Sequence, residues 1–347
     1  MPYESQKQLT PGDLLDEKGM LRQAGYATSL VRRYDRSAIG ASGLRIKEWD
    51  YYCITCGGVA LALTIADNSY MGLDSVSLLD LDAGFQHTWS AMRLLPMGKT
   101  RLPGDSSRGN VVMERPQYAL RFENDGQTRV LTVRVDNFRD GKPLTAHMEL
   151  TEPPRDSMVI ATPFTGKPKA FYYNQKINCL KAEGDISFNG RTYLFDKHSA
   201  TAVLDWGRGV WTYANTWYWG SASGYVHGAP FGMNLGYGFG DTSAATENML
   251  FYKGVAHKLE HVDFGIPKTP DGKDDLMSPW HVTDNHGRLD LTFTPVMDRA
   301  ALTSALVIES DQHQVFGYYE GKAVLDDGTA VHVSRMLGFA EKVRNRW

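Results

Sequence analysis

Tight-turn dipeptides recur along this chain and set the terms for its fold: Asp125-Gly126, Asp140-Gly141, Asn189-Gly190, His286-Gly287, Asp327-Gly328 and, more weakly, Lys253-Gly254. Asn-Gly and Asp-Gly supply the positive φ angles that two-residue hairpin loops need. The runs around them alternate between apolar and polar, as in YALRFENDGQTRVLTVRV, DISFNGRTYLFD and HVTDNHGRLDLTFTPV. Alternation with tight turns means antiparallel hairpins, since parallel strands need long crossovers. GVALALTIAD also alternates and is expected as a half-buried strand. No stretch holds a 3.6-residue apolar period, although GFAEKVRNRW at the end reads as a last short helix. The expected class is all-β.

The polar residues 1–20 read as an irregular arm. Pro-rich text between Thr151 and Lys169, TEPPRDSMVIATPFTGKPK, reads as a boundary between two β units, 21–160 and 161–347, the second carrying the run DWGRGVW. Two closed or nearly closed barrels would bury their strand edges and leave interiors able to hold a ligand.

Composition excludes several roles. A net charge of −3 leaves no electrostatic footprint for nucleic acid. No apolar run approaches the ~20 residues of a membrane span. The first residues have neither a basic start nor an apolar segment, so a cytoplasmic location is expected. Three cysteines are an odd number, and Cys53 and Cys56 point to opposite faces of an extended segment, which suits neither a disulfide framework nor a zinc site. GYGFG lacks the strand–turn–helix context of a dinucleotide site, GSASG is not a nucleophile elbow, and there is no P-loop. No cofactor is expected. The oligomeric state is not readable.

The unusual residues gather between Ala200 and Asp241. Four of the eight tryptophans, Trp206, Trp211, Trp217 and Trp219, lie near Asp205, and a glycine-rich run follows. If residues 205–219 are extended, Asp205, Trp211, Tyr213, Trp217 and Trp219 share one face, and Trp206 and Arg208 take the other. In FGMNLGYGFG the even positions are glycine except Asn234, so one face of that strand is nearly empty. A walled cavity is expected there, the alternative being tryptophans packed over the glycines. Desolvation would make Asp205 a proton donor. Arg208 opposes this if a bulge at Gly207 or Gly209 brings the two into a structural pair, and the residues leave both readings open. Glu247 and Asn248 open a strand and are candidates to line the mouth of the second barrel. HKLEHVD, with His257 and His261, is a weak metal candidate that looks more like the solvent face of a hairpin, so no metal is expected.

These motifs together resemble the bacterial DUF2804 family, over most of the chain from GYATSLVRRYDR to GFAEKVRNRW, most specifically in DWGRGVW followed by W-x-W. More remotely the pattern is similar to the carotenoid hydratase, tocopherol cyclase and AttH-like group. That resemblance implies two lipocalin-like barrels in tandem. It also implies that Asp205 protonates an isoprenoid double bond, with Trp211, Trp217 and Trp219 as aromatic walls. Two departures stand out: Arg208 has no counterpart in the hydratases, and Trp206 replaces their frequent histidine.

The expected function is an enzyme acting on a hydrophobic small molecule, isoprenoid or lipid-like, by acid-catalysed hydration, cyclisation or isomerisation. Its catalytic residues would be Asp205 and Arg208. Its ligand-binding residues would be Trp206, Trp211, Tyr213, Trp217, Trp219, Asn234, Glu247 and Asn248. The competing roles are a non-catalytic carrier of a hydrophobic ligand and a carbohydrate-active protein.

Overall fold

The computed structural model describes residues 6–305 and 308–346. All six expected turn dipeptides join neighbouring antiparallel strands. At Asp140-Gly141, Asn189-Gly190 and Lys253-Gly254 both residues adopt positive φ, the geometry that matches the twist of the flanking strands. The hairpins assemble into two curled antiparallel sheets of thirteen and nine strands among the described residues, arranged in tandem. The only helical pieces among them are two 3₁₀ turns, Arg36–Ala38 and Gly43–Arg45. This is the all-β, lipocalin-like arrangement that was expected. Among the described residues no helix is long and apolar enough to cross a membrane.

The two sheets meet at a different place from the Pro-rich segment. Met158–Pro163 pairs with both Phe171–Phe188 and Gly25–Ala27, so the chain stays in the first sheet through the prolines. The sheet changes only between Val210, the end of the Asp205 strand (Thr201–Val210), and Ala214, the start of the Trp219 strand (Ala214–Val226). DWGRGVW therefore belongs to the first sheet, between the Lys176 strand (Phe171–Phe188) and the Tyr51 strand (Ile46–Cys56). The proline at position 163 sits at a strand end, where a missing N–H costs nothing.

Two further expectations are corrected. GFAEKVRNRW is the end of the Glu341 strand (Ala330–Arg346), held on one edge by the Trp219 strand and on the other by the Gln314 strand (Ile308–Val324). Two hydrogen-bonded edges outweigh a local helical preference. GVALALTIAD is buried on both faces, because the first sheet covers its own core on one side and meets the second sheet on the other. The arm before residue 21 is also tied down: Leu9 and Leu14 are buried, and Lys7 N–H donates to the Ala244 carbonyl, bridging towards the second sheet.

Candidate functional site

Strand register explains how the site is assembled. In the first sheet Lys176 lies directly opposite Asp205, and Asp205 directly opposite Tyr51, so these three side chains form a row on one face. In the second sheet Gln314, Glu341, Trp219 and Gly236 form a similar row across four strands. The rows face each other. Tyr51 packs edge-on to Trp219 with ring centroids 6.0 Å apart, and its hydroxyl accepts from Gln314 Nε2 at 3.2 Å.

Asp205 is buried and accepts from two donors, Lys176 Nζ at 2.8 Å and Asn174 Nδ2 at 2.6 Å. The same ammonium stands 3.6 Å from the centroid of the Trp219 ring. Glu341 also is buried, but its donors are neutral: Trp217 Nε1 at 2.9 Å and Gln314 Nε2 at 3.2 Å. Burial pushes its carboxyl up to about 7, against the opposing pull of Trp217 and Lys176. Glu247 joins through Asn234, whose amide donates to Glu247 Oε2 at 3.2 Å and whose oxygen accepts from Trp219 Nε1 at 2.7 Å. Burial raises the Glu247 carboxyl too, with Lys176 and Asn234 opposing. Three buried carboxyl groups thus influence one another in a region of low dielectric; Asp205 alone is bonded by the Lys176 ammonium, while Lys258 and Arg299 also act on Glu247 and Glu341.

Three of the tryptophans expected as aromatic walls lie at this layer. Trp211 packs against Trp49, Trp217 and Phe239, with centroids 5.2, 5.7 and 4.9 Å away. Trp49 and Trp217 keep part of their surface exposed, as does Glu247, so the cluster reaches solvent at this end. Tyr213 does not join the wall: the chain leaves the sheet at residues 211–213, and Tyr213 is 52% exposed. Asn248 is fixed to backbone, accepting from Gly236 N–H at 2.7 Å and donating to the Glu260 carbonyl at 2.9 Å.

Trp206 and Arg208 point the other way, into the first sheet's own core. Trp206 is fully buried there, and the Arg208 guanidinium lies 4.2 Å from its ring centroid. Arg208 pairs with Asp50 at 2.9 Å and donates to the carbonyls of Trp49, Gly207 and Pro103. No bulge forms at Gly207 or Gly209, so residues 205 and 208 stay on opposite faces. The suspected Asp205–Arg208 pair is absent, and Asp205 has Lys176 instead.

The glycine-rich faces are occupied. A Cβ on Gly207 would fall 1.9 Å from Trp49 Cζ2, one on Gly236 2.5 Å from Glu247 Oε1, and one on Gly232 2.6 Å from Cys179 Sγ. These glycines make room for neighbouring side chains. The cross-strand partner of Gly207 is Trp49 itself, which fills the space over it. Gly207→Ala is therefore expected to cost about 1–3 kcal/mol by overpacking, read as a lowered midpoint in urea denaturation. Deeper between the sheets, Val203, Ser221, Phe339 and their neighbours enclose a gap of about 10 Å³, room for roughly one water.

Lys176 and Glu341 were missed by sequence reading. Lys176 stands between aromatic and aliphatic residues in FYYNQKINCL, and its burial mid-strand is set by the packing of the two sheets. Glu341 lies in GFAEKVRNRW, which reads as a terminal helix and carries no sign of a buried acid. The metal candidate does not assemble: His257 lies beside Asp326 and His261 is exposed, and among the described residues no group of three ligating side chains converges.

Several solved structures are similar to this chain. An AttH protein of Nitrosomonas europaea is 15% identical, the match covering 89% of this chain and 95% of that one with a TM-score of 0.54. Kievitone hydratase from Nectria haematococca is 10% identical over 95% and 98% of the two chains, TM-score 0.48. CghA bound to Sch210972 is 10% identical over 95% and 97%, TM-score 0.47. The likeness to the AttH protein is one of fold. No curated protein matches by sequence. The model of DUF2804, a domain of unknown function, matches residues 5–347, and the chain belongs to that family.

Proposed function

We propose that this protein is an enzyme acting on a hydrophobic small molecule, isoprenoid or lipid-like, by acid-catalysed addition, cyclisation or isomerisation at a double bond, at the end of the cluster where Trp49, Trp217 and Glu247 meet solvent. The observation that carries this reading is that buried Glu341 is hydrogen-bonded only by neutral donors, whereas Asp205 is bonded by the Lys176 ammonium. Asp205 is paired with the ammonium and is the anion of the set. Glu341, with only neutral donors, keeps a proton near neutral pH and is the donor. The roles of acid and anion are thus divided between two carboxyl groups by their surroundings.

A double bond protonated beside Glu341 becomes a carbocation. The Trp219 ring already accommodates a positive charge at 3.6 Å, that of Lys176, and Trp217 stands beside it in the same strand. Indole faces attract such a cation most strongly where water is scarce. Asp205, bonded to Lys176, faces the same charge and can take up a proton from the adjacent carbon or from water. The substrate would reach the cluster where Trp49, Trp217 and Glu247 meet solvent. A cytoplasmic location accords with this reading.

The test begins with native mass spectrometry of the purified protein, to identify the hydrophobic molecule it retains. That molecule is then incubated with the protein in deuterium oxide. Conversion with deuterium gained at carbon supports the proposal. Recovery of the molecule unchanged, with no exchange, would show a carrier and reject it.

A further inference from the structure

One end of the first sheet presents an apolar surface that its own strand pattern does not explain. The edge strand Phe85–Leu94 alternates strictly between half-buried and exposed residues. Its outward positions begin as Gln86, Thr88 and Ser90, then change to Met92 and Leu94, 70% and 88% exposed. Leu95 and Met97 follow, also exposed, and Met97 Cε comes within 3.6 Å of the position a Cβ on Gly43 would take, beside exposed Leu44. Five large apolar side chains therefore share one rim.

The rim is held in this shape. Leu95 N–H donates to the Tyr70 carbonyl and Met97 N–H to the Ser69 carbonyl, each at 3.0 Å, while Asp67 Oδ2 accepts from Gly98 N–H and the Thr100 hydroxyl. Leu95 and Met97 adopt positive φ (47° and 51°). Non-glycine residues keep such a backbone only where their surroundings impose it. The apolar tips thus point outward by construction.

Basic groups stand directly behind. Lys99 and Arg101 continue the same segment and are exposed. Arg101 shares with Arg33 and Arg36 the lining of a cleft of about 400 Å³. The acids of that cleft are engaged: Glu48 accepts from Tyr34 and Arg36, and Asp35 caps Ser37. Arg101 has no ion pair among the described residues. Arg33 and Arg36 are paired with Asp13 and Glu48, so Lys99 and Arg101 are the cations that stand without an ion pair, among the described residues, beside this apolar surface.

We propose that this rim is a docking face for an anionic phospholipid bilayer. Leu44, Met92, Leu94, Leu95 and Met97 enter the interface, and Lys99 and Arg101 contact headgroup phosphates. Apolar insertion combined with a basic surround is the usual composition of reversible interfacial binding. The inference stands on different residues from the catalytic reading and survives or fails separately.

Co-sedimentation of the full chain with phosphatidylcholine vesicles, with and without phosphatidylglycerol, tests it at low and high salt (about 50 and 500 mM). Binding is expected to the anionic vesicles only, and to weaken with salt. Leu94→Ser/Leu95→Ser and Lys99→Glu/Arg101→Glu are each expected to lower the bound fraction by about tenfold or more, at unchanged melting temperature because the altered side chains are exposed. Absence of binding to anionic vesicles, or equal binding by both variants, overturns the proposal. So does a concentration-dependent dimer that the leucine variant dissolves without vesicle binding, which would make the rim a contact between copies. Stabilisation by inorganic phosphate with no vesicle binding overturns it as well.

Discussion

Glu341→Gln is expected to lower turnover by about 10²–10⁴-fold, the usual contribution of a general acid, while the protein folds and retains its ligand. The amide keeps the shape of the carboxyl group and still accepts from Trp217 Nε1, but it has no proton to give. The wild-type rate should fall as pH rises through about 7, where Glu341 ionises. Stability provides a readout that needs no substrate. A carboxyl whose folded value is raised stabilises the fold fully below its unfolded value, and that contribution is lost as pH rises through the folded value. For Glu341 the window runs from 4.5 to about 7, which corresponds to on the order of 3 kcal/mol. Urea denaturation from pH 5 to pH 8 should show the wild type weakening with pH, with a clearly smaller slope in Glu341→Gln. Identical slopes would place the proton elsewhere, and Glu247, whose carboxyl burial also raises, would then become the candidate donor.

Lys176→Met is expected to cost about 3–5 kcal/mol at neutral pH, the penalty for leaving a buried carboxylate without its cation. Lys176 and Asp205 are both buried and 2.8 Å apart, and methionine preserves most of the stem that packs against Trp219. The double variant Lys176→Met/Asp205→Asn should recover much of the loss, since a neutral amide and a thioether replace the pair. A single-variant cost below about 1 kcal/mol, typical of an exposed pair, would mean that the cluster is wetter than its geometry indicates. The case for an acid made by desolvation would then fail.

Much of the fold was legible because it rests on local chemistry. Turn dipeptides with positive φ, such as Asn189-Gly190, specify hairpins wherever the chain carries them. Strand period likewise placed Asp205 on the face opposite Trp206 and Arg208, as observed. Less was legible wherever burial on both faces removed the alternation. The Asp205 strand is buried at all ten of its positions, so nothing in its pattern tells which face meets a core and which meets the second sheet. The glycines looked like empty space for the same reason: what covers Gly207 is Trp49, about 160 residues away and set there by register.

The sequence by itself determined the all-β class, the hairpin turns and the chemical vocabulary of aspartate and indole. Those follow from φ preference, period two and residue type, which act over a few neighbours. Only the tertiary structure decided that Asp205 pairs with Lys176 and not with Arg208, that the sheet changes after Val210, and that Glu341 comes to the same layer from the last strand. Each of these depends on which strands lie side by side and in what register. Partner choice is decided by the packing of two whole sheets, so no short stretch of the chain records it.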